Sequence, residues 1–366
     1  MNTSVVGLDI GFASVRAVEV SETGSAKPTI LRYREERLPV GAVSRGEVLE
    51  PATVAAALKR LWSTGGFKSR DVVLGMGNHR VVVRDLTVPK MSMKRIRESL
   101  PFHVQDLLSV PVAEALLDFY PINEVAGEGE AGPQVSGLLI AAVKDVVLAN
   151  VKAVQLAGLT PVEVDLIPFA LSRAIRQGAV TDDVIVQIDV GAGTTSVLIT
   201  SAGIPQFVRL IPAGGDDVTQ ALMVRLALEA QPADALKIRL GLGLGLELGT
   251  HSAGSEHGLQ NHGAENAAAA TLVHDVSTEL LNSLRNTVNY FTNTRHTLTV
   301  TRIVLTGGGA RLNGFREALA GLTRLAVEAP DPAEAVALAR GLNSQDLQQS
   351  GGTFLVALGL ALGSKK

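Results

Sequence analysis

The sequence predicts an α/β fold of two duplicated lobes facing a cleft, with a further module inserted in the first lobe. Three observations carry this. Strand and helix patterns alternate in two sets along the chain, as they do in layered α/β architectures. The strand–turn–strand unit at the N-terminus recurs 180 positions later, Leu8-Asp9-Ile10-Gly11 lying over Ile188-Asp189-Val190-Gly191; such self-similarity marks an internal duplication. From about Asp85 to Gly158 the texture departs from both sets.

Bulk properties frame these elements. At 366 residues the chain exceeds one small core and suits two or more domains. Hydrophobic residues make up 46% and charged residues 19%, so a sizeable core is available and disorder is not expected. A net charge of -3 without a long basic block argues against a nucleic-acid partner. The lack of cysteine excludes disulfides, thiol catalysis and thiolate metal sites, in keeping with a reducing cytoplasm. Mean hydropathy is positive, yet the best apolar run, Phe354 to Leu362, falls far short of the about 20 residues a membrane helix needs. Asp9 interrupts the first apolar run and no basic segment precedes it, so neither a signal peptide nor a membrane span is expected.

Val5 to Ile10 and Val15 to Val20 read as strands, the second alternating cleanly with β-branched residues. Pro51 to Trp62 reads as a helix with Val54, Ala55, Leu58 and Leu61 on one face and Pro51 in its first turn. Val72 to Leu74 and Val81 to Val83 read as strands. Met93, Ile96, Leu100 and Val104 fall on one face of a helix whose start carries Lys90, Lys94, Arg95 and Arg97; this is a solvated face or a surface for an acidic partner. Glu124 to Gln134 reads as an exposed loop, Leu138 to Val143 as a strand and Val146 to Leu156 as a helix ended by Gly158.

The second set opens with strand, turn and strand over Thr181 to Thr200, followed by helices at Val218 to Glu229 and Ala233 to Leu240. Residues 249–270 are polar, rich in Gly and Ala, and read as a flexible loop. Their three histidines, His251, His257 and His262, match no familiar metal-ligand spacing. Thr271 to Phe291 reads as a long helix, Arg302 to Thr306 as a strand, and helices follow Asn313 and span Phe354 to Leu362.

The duplicated turns carry the chemistry. Each is Asp, an apolar residue, Gly, then small residues: Asp9, Gly11, Phe12, Ala13 and Ser14 in the first, Asp189, Gly191, Ala192, Gly193, Thr194 and Thr195 in the second. Glycine lets the backbone turn sharply and approach a ligand. Successive backbone N–H groups in such a turn cradle phosphate oxygens. Two aspartates at facing strand ends suit a hydrated magnesium ion, which with the N–H groups offsets triphosphate charge. A lone Asp-x-Gly is also a common hairpin turn. The third element is Ile303-Val304-Leu305-Thr306-Gly307-Gly308-Gly309-Ala310, a strand running into a glycine turn that admits a nucleoside or merely joins strand to helix.

Taken in this order, these segments resemble the actin-like ATPase superfamily, which contains actin, heat-shock chaperones, sugar kinases and FtsA. Asp9 to Arg16 looks like its first phosphate loop, Asp189 to Thr195 like its second, and Thr306 to Ala310 like its adenosine motif. The resemblance implies ATP and magnesium as ligands. It assigns Arg16 to the phosphate site, Asp9 and Asp189 to magnesium through water, and Gly214, Gly215, Asp234, Lys237, Gly307, Gly308, Gly309 and Arg311 to adenosine. Asp234 and Lys237 match an acidic-x-x-Lys pair that is also a common helix-surface spacing.

Within the superfamily the chain is most similar to the PilM family of type IV pilus assembly. The similarity is carried by Val6 to Gly11 with Val15 to Glu19, by Asp165 with Phe169 to Ala174, by Ile211 to Gly215 and by Val356 to Ala361. It implies a 1C-type subdomain over residues 82–158, inserted in subdomain 1A (1–81 and 159–183). Subdomain 2A is expected over 184–212 and 298–366, and subdomain 2B over 213–297. It also implies a cytoplasmic protein, peripheral at the inner membrane, that grips the N-terminal tail of the membrane protein PilN between 1A and 1C and meets other pilus assembly proteins. A homo-oligomer is compatible with it.

Two departures bear on catalysis. Phe12 and Ala13 stand where the family usually has Ser or Thr. Ile167 stands near Pro168, where several members place a Glu or Gln that orients water, and it can do neither job. Charge stabilisers without a positioning group imply ATP binding with at most slow ATPase activity. The enzyme alternative is a small-molecule, sugar-type kinase of the same fold, which would need an acceptor pocket and a base.

Overall fold

The computed structural model describes residues 4–25, 27–127, 132–175, 182–243, 259–330, 336–343 and 352–363. Its first sheet has strand order β10-β6-β1-β2-β3-β16. These are β1 (Ser4–Ile10), β2 (Ser14–Ser21), β3 (Thr29–Arg37), β6 (Asp71–Met76), β10 (Thr160–Leu166) and β16 (Ala337–Leu338). β1 to β3 are antiparallel, while β6 and β10 add in parallel after crossovers. A short hairpin, β4 (Val43–Ser44) and β5 (Glu47–Val48), leads into helix α1 (Pro51–Gly65).

Both faces of this sheet are covered, which is why β1 and β2 are apolar nearly throughout. Val6, Leu8, Val15 and Ala17 pack on Val54, Leu58 and Leu61 of α1. Val5, Val18 and Val20 pack on helices α4 (Ile167–Ile175) and α9 (Leu355–Gly363). Burying a leucine such as Leu58 or Leu61 stabilises by about 2 kcal/mol.

The inserted module is a three-stranded antiparallel sheet, β7-β9-β8: β7 (Val81–Pro89), β8 (Ala115–Val125) and β9 (Gln134–Val143). Helix α2 (Met93–His103) begins at Ser92, whose hydroxyl accepts the Arg95 N–H, and lays Ile96 and Leu100 against Val88, Phe119 and Leu139. Helix α3 (Lys144–Leu156) follows. It lies inside the expected inserted segment, yet Ala153 and Val154 share the core of α1.

The second sheet has order β13-β12-β11-β14-β15: β11 (Val184–Val190), β12 (Thr195–Ser201), β13 (Ile204–Ile211), β14 (Val300–Thr306) and β15 (Ala326–Glu328). Helices α5 (Gly215–Leu226), α6 (Ala230–Leu240), α7 (Leu259–Thr294) and α8 (Phe315–Thr323) complete the lobe. Leu198 and Val208 of this lobe pack with Met76 and Leu138, so the inserted module also leans on it.

The structure corrects three readings. Residues 259–270, expected in a flexible loop, are the first turns of α7; their alanines, Ala269 and Ala270, are buried against α5 and α6. Residues 249–258, with His251 and His257, lie outside the described residues. The tail does not stay in the second lobe as the 298–366 boundary placed it: β16 pairs with β3, and α9 is buried between β1 and α4. A helix apolar all round has no solvent face, so it goes where two layers can enclose it. Its approach is close enough that a Cβ on Gly359 would overlap the Ala170 carbonyl. The ends of the supposed 124–134 loop, finally, belong to β8 and β9.

Candidate functional site

The two Asp-x-Gly turns have the same hydrogen-bonded geometry. Asp9 pairs in register with Arg16 and Ile10 with Val15; Asp189 pairs with Ser196 and Val190 with Thr195. Gly11 N–H donates to the Ser14 carbonyl at 2.9 Å, and Gly191 N–H donates to the Thr194 carbonyl at 2.9 Å. The duplication seen in the sequence is thus a duplication of turn structure. The N–H groups of Phe12, Ala13, Ala192 and Gly193 find no acceptor among the described residues. They are among the free donors at the two turns.

Asp9 is buried, and Arg16 Nη1 lies 3.3 Å from its Oδ2. Arg16 Nη2 also reaches Glu35 Oε1 at 3.0 Å, and the Ser14 hydroxyl donates to the same Glu35 oxygen at 2.6 Å. The register Asp9↔Arg16↔Glu35 across β1, β2 and β3 sets this row. Glu35 was not foreseen: β3 shows no motif, and only strand pairing brings it here. It also commits the one hydroxyl of the first turn. Burial pushes the Asp9 carboxyl above its ordinary pKa, while Arg16 pulls it back and Glu35 adds to the rise. Phe12 is half-buried and Ala13 exposed.

Asp189 is held differently. Thr306 Oγ1, one strand over, donates to its Oδ1 at 2.8 Å. Burial pushes Asp189 up to about 6; the Thr306 hydrogen bond and Arg16 oppose this, and the charge of Asp9 adds to it. Asp189 therefore lies in the field of the first lobe's Asp9 and Arg16.

The second turn is tied to α5. Gly215 N–H donates to the Gly191 carbonyl at 3.0 Å and Asp216 N–H to the Ala192 carbonyl at 2.7 Å. Asp217 Oδ2 accepts the Gly214 N–H at 2.7 Å, closing the helix start. The Thr195 hydroxyl donates to the Ala213 carbonyl at 2.7 Å. Gly307 has φ of +93° and sits where a side chain would run into the Val190 backbone, so this turn admits only glycine. Gly309 lies against Gly215 and Gly191, whereas the Cβ position of Gly308 faces open space.

Lys237 is fixed at this node. Its Nζ reaches Asp234 Oδ1 at 2.6 Å, Thr219 Oγ1 at 2.8 Å and the Gly215 carbonyl at 3.2 Å. The structure thus brings Gly214, Gly215, Asp234, Lys237, Gly307 and Gly309 together, while Arg311 is exposed on the short 3₁₀ turn beyond them. A cavity of about 330 Å³ lies beside the node, between α5, α7 and the Gly309 turn. Asp217 lines it, and neither Asp9 nor Asp189 does. Asp165, the acid near Ile167, is paired with Arg173, and Ile167 packs on Gly75 and Gly77.

Comparison with known proteins decides the family. The description "Type IV pilus assembly protein PilM" matches residues 7–249 and 255–365. The chain belongs to the PilM family. A solved PilM-PilN type IV pilus biogenesis complex superposes with a TM-score of 0.81 at 29% identity, covering 99% of this chain and 98% of that one. The ethanolamine utilization protein EutJ of Carboxydothermus hydrogenoformans shares the fold, with a TM-score of 0.55 at 15% identity over all of this chain and 91% of that one. The PilM-family fold is the actin-like ATPase fold. Sequence relatives are the cell division protein FtsA of Bacillus subtilis strain 168, 20% identical over 265 residues, and of Enterococcus hirae, 25% identical over 256 residues. These matches span 66% and 64% of this chain but only 58% and 57% of those proteins. No helix among the described residues is long and apolar enough to cross a membrane.

Proposed function

We propose that this PilM-family chain is an ATP–magnesium clamp of type IV pilus assembly that holds the tail of a PilN-type inner-membrane protein. The observation that carries the nucleotide part is the pair of like turns, one with a buried Asp9 and the other with a half-buried Asp189, each with unsatisfied N–H groups. Phosphate oxygens would accept those N–H bonds. Asp9 and Asp189, each lifted in pKa by burial, gain from a cation between them, which magnesium supplies as a hard, carboxylate-preferring ion. Gly214, Gly215, Gly307 and Gly309 offer a face without side chains for the nucleoside, flanked by Asp234 and Lys237.

The partner part rests on family membership and on the solved complex of a PilM with PilN. Its groove would lie between the first sheet, as subdomain 1A, and the β7-β9-β8 module, as subdomain 1C; an extended tail suits a groove or a sheet edge. The second sheet and the α5 to α7 helices would be 2A and 2B. The protein would sit in the cytoplasm, drawn to the inner membrane by PilN.

Hydrolysis is slow or absent on this reading. Ile167 offers no proton acceptor, and Asp165 is held by Arg173, so neither of these two residues stands ready to position water. The same lack disfavours the sugar-type kinase, which also requires a base.

Calorimetry tests the whole reading. Wild type should bind ATP–magnesium and a PilN-type tail peptide, and Asp9→Ala with Asp189→Ala should lose ATP but keep the peptide. Peptide binding without ATP binding would leave an adaptor with a relic site. Steady multiple turnover would overturn the clamp without hydrolysis, and turnover only with an added sugar would favour the kinase.

A further inference from the structure

One contact crosses the cleft beside the second turn. The β4–β5 hairpin of the first lobe ends in Arg45-Gly46, both in the left-handed region at φ of +46° and +78°. Such a pair makes the tight turn that suits a two-residue hairpin. Asn78, fully buried, donates its Nδ2 to the Gly46 carbonyl at 3.1 Å and fixes the hairpin from beneath. Arg45 is thereby thrust into the second lobe. Its Nη1 donates to the Pro212 carbonyl, and its Nη2 lies 3.2 Å from Asp217 Oδ1. Its Cα stands 3.4 Å from where a Cβ on Gly193 would be, an ordinary van der Waals distance, so the hairpin roofs the second turn.

Asp217 serves two masters with two oxygens. Oδ2 accepts the Gly214 N–H and closes α5, while Oδ1 takes the Arg45 guanidinium. The same carboxylate therefore holds the glycine node in shape and receives the first lobe. The segment it caps, Ala213 to Asp216, is bonded to the second turn through Thr195, Gly191 and Ala192.

We propose that Arg45 is a positioning residue that latches the closed cleft, and that Asp217 transmits this closure to the glycine node and the second phosphate turn. A backbone held in one geometry by a neighbouring carboxylate binds its ligand without a further ordering cost. Closing the lobes and shaping the site then become one equilibrium, so a ligand that favours one favours the other. The ligand half of this proposal rests on the nucleotide reading above; the closure half does not.

The absence of cysteine makes the test direct. Ala56→Cys on α1 and Val224→Cys on α5, both exposed, carry spin labels that report the distance between lobes. Without ligand, Arg45→Ala should lengthen and broaden that distance distribution relative to wild type. Asp217→Asn keeps an oxygen for the Gly214 N–H and loses the charge facing Arg45, so it should do the same. Each should weaken ATP–magnesium binding about three- to fivefold, the scale of a partly exposed ion pair. Because Arg45 acts on Asp217 through one contact, already lost in Arg45→Ala, the double variant should bind no more weakly than Arg45→Ala alone. An unchanged distance distribution in Arg45→Ala overturns the latch. A changed distance with wild-type ATP affinity, or effects that multiply in the double variant, overturns the coupling. If wild type itself binds no ATP, the nucleotide reading fails, and the distance measurement still decides whether Arg45 closes the cleft.

Discussion

Asp9 and Asp189 occupy the same register position in two like hairpins, yet their partners differ in kind. Arg16 stands opposite Asp9 at 3.3 Å, a full charge on the neighbouring strand. Asp189 has Ser196 opposite it on β12 and takes the Thr306 hydroxyl at 2.8 Å from β14 instead. A neutral hydroxyl offsets burial less than a guanidinium does, and Asp189 is accordingly pushed up to about 6. The duplication kept the carboxylates and let their counter-groups diverge.

A raised carboxyl pKa is a stability statement of definite sign. Asp189 titrates near 3.8 when unfolded and about 6 when folded. Its ionisation costs nothing below pH 3.8, the penalty builds between 3.8 and 6, and it is complete above 6. The full penalty is about 3 kcal/mol from the per-unit conversion. Asp189→Asn should therefore be more stable than wild type at pH 7.5 and equal to it below pH 4, as measured by urea unfolding across that range. A constant difference at all pH values would refute the assignment.

Thr306→Val should act in the opposite direction. It removes the only hydroxyl given to Asp189 by β14 and leaves an ionised carboxylate less satisfied. The loss should be about 2 kcal/mol at pH 7.5, the scale of a hydrogen bond to a charged group, and smaller near pH 4 where Asp189 is neutral. Thermal or urea unfolding of the two proteins at both pH values measures it.

Arg16→Ala should strand Asp9 beneath the first turn. Removing one partner of a largely buried pair costs about 3 kcal/mol. Because the Asp9 carboxyl would rise further, the deficit should grow with pH above 3.8. Added magnesium should recover part of the loss by supplying the missing positive charge, seen as a larger rise in Tm than wild type shows.

Gly359→Val should disrupt the first lobe without touching the site. Its Cβ would overlap the Ala170 carbonyl, so α9 and α4 must separate. Overpacking of this kind costs about 3 kcal/mol. A loss of Tm with an unchanged nucleotide affinity at low temperature is the expected result.

Much of this molecule is legible before folding is considered. The repeat of Asp9 and Asp189 is written in the chain because both turns need the same residue types at the same strand ends. The three-glycine turn is legible for a like reason, since at Gly307 the backbone conformation and the closeness of Val190 both exclude a side chain. Helix α1 shows its buried face through Val54, Leu58 and Leu61 at helical spacing. Strand β3 was hidden, because a strand with the sequence Thr29 to Arg37 has mixed exposure and alternates weakly. Its Glu35 gains meaning only when paired opposite Arg16. The start of α7 was hidden as well: Gly263 and a run of polar and alanine residues look like a loop until α5 and α6 give Ala269 and Ala270 a surface to bury against.

The sequence by itself determined the fold class, the two facing turns and the likeness to a family, because these depend on residue types at short spacings. Tertiary structure alone decided which distant groups share a site. It set Glu35 beside Arg16 through strand register, carried α9 back to the first lobe because an all-apolar helix must be enclosed, and brought Arg45 to Asp217 across 172 positions of chain. None of these has a local signal, since the contact energy exists only once separate elements are packed together.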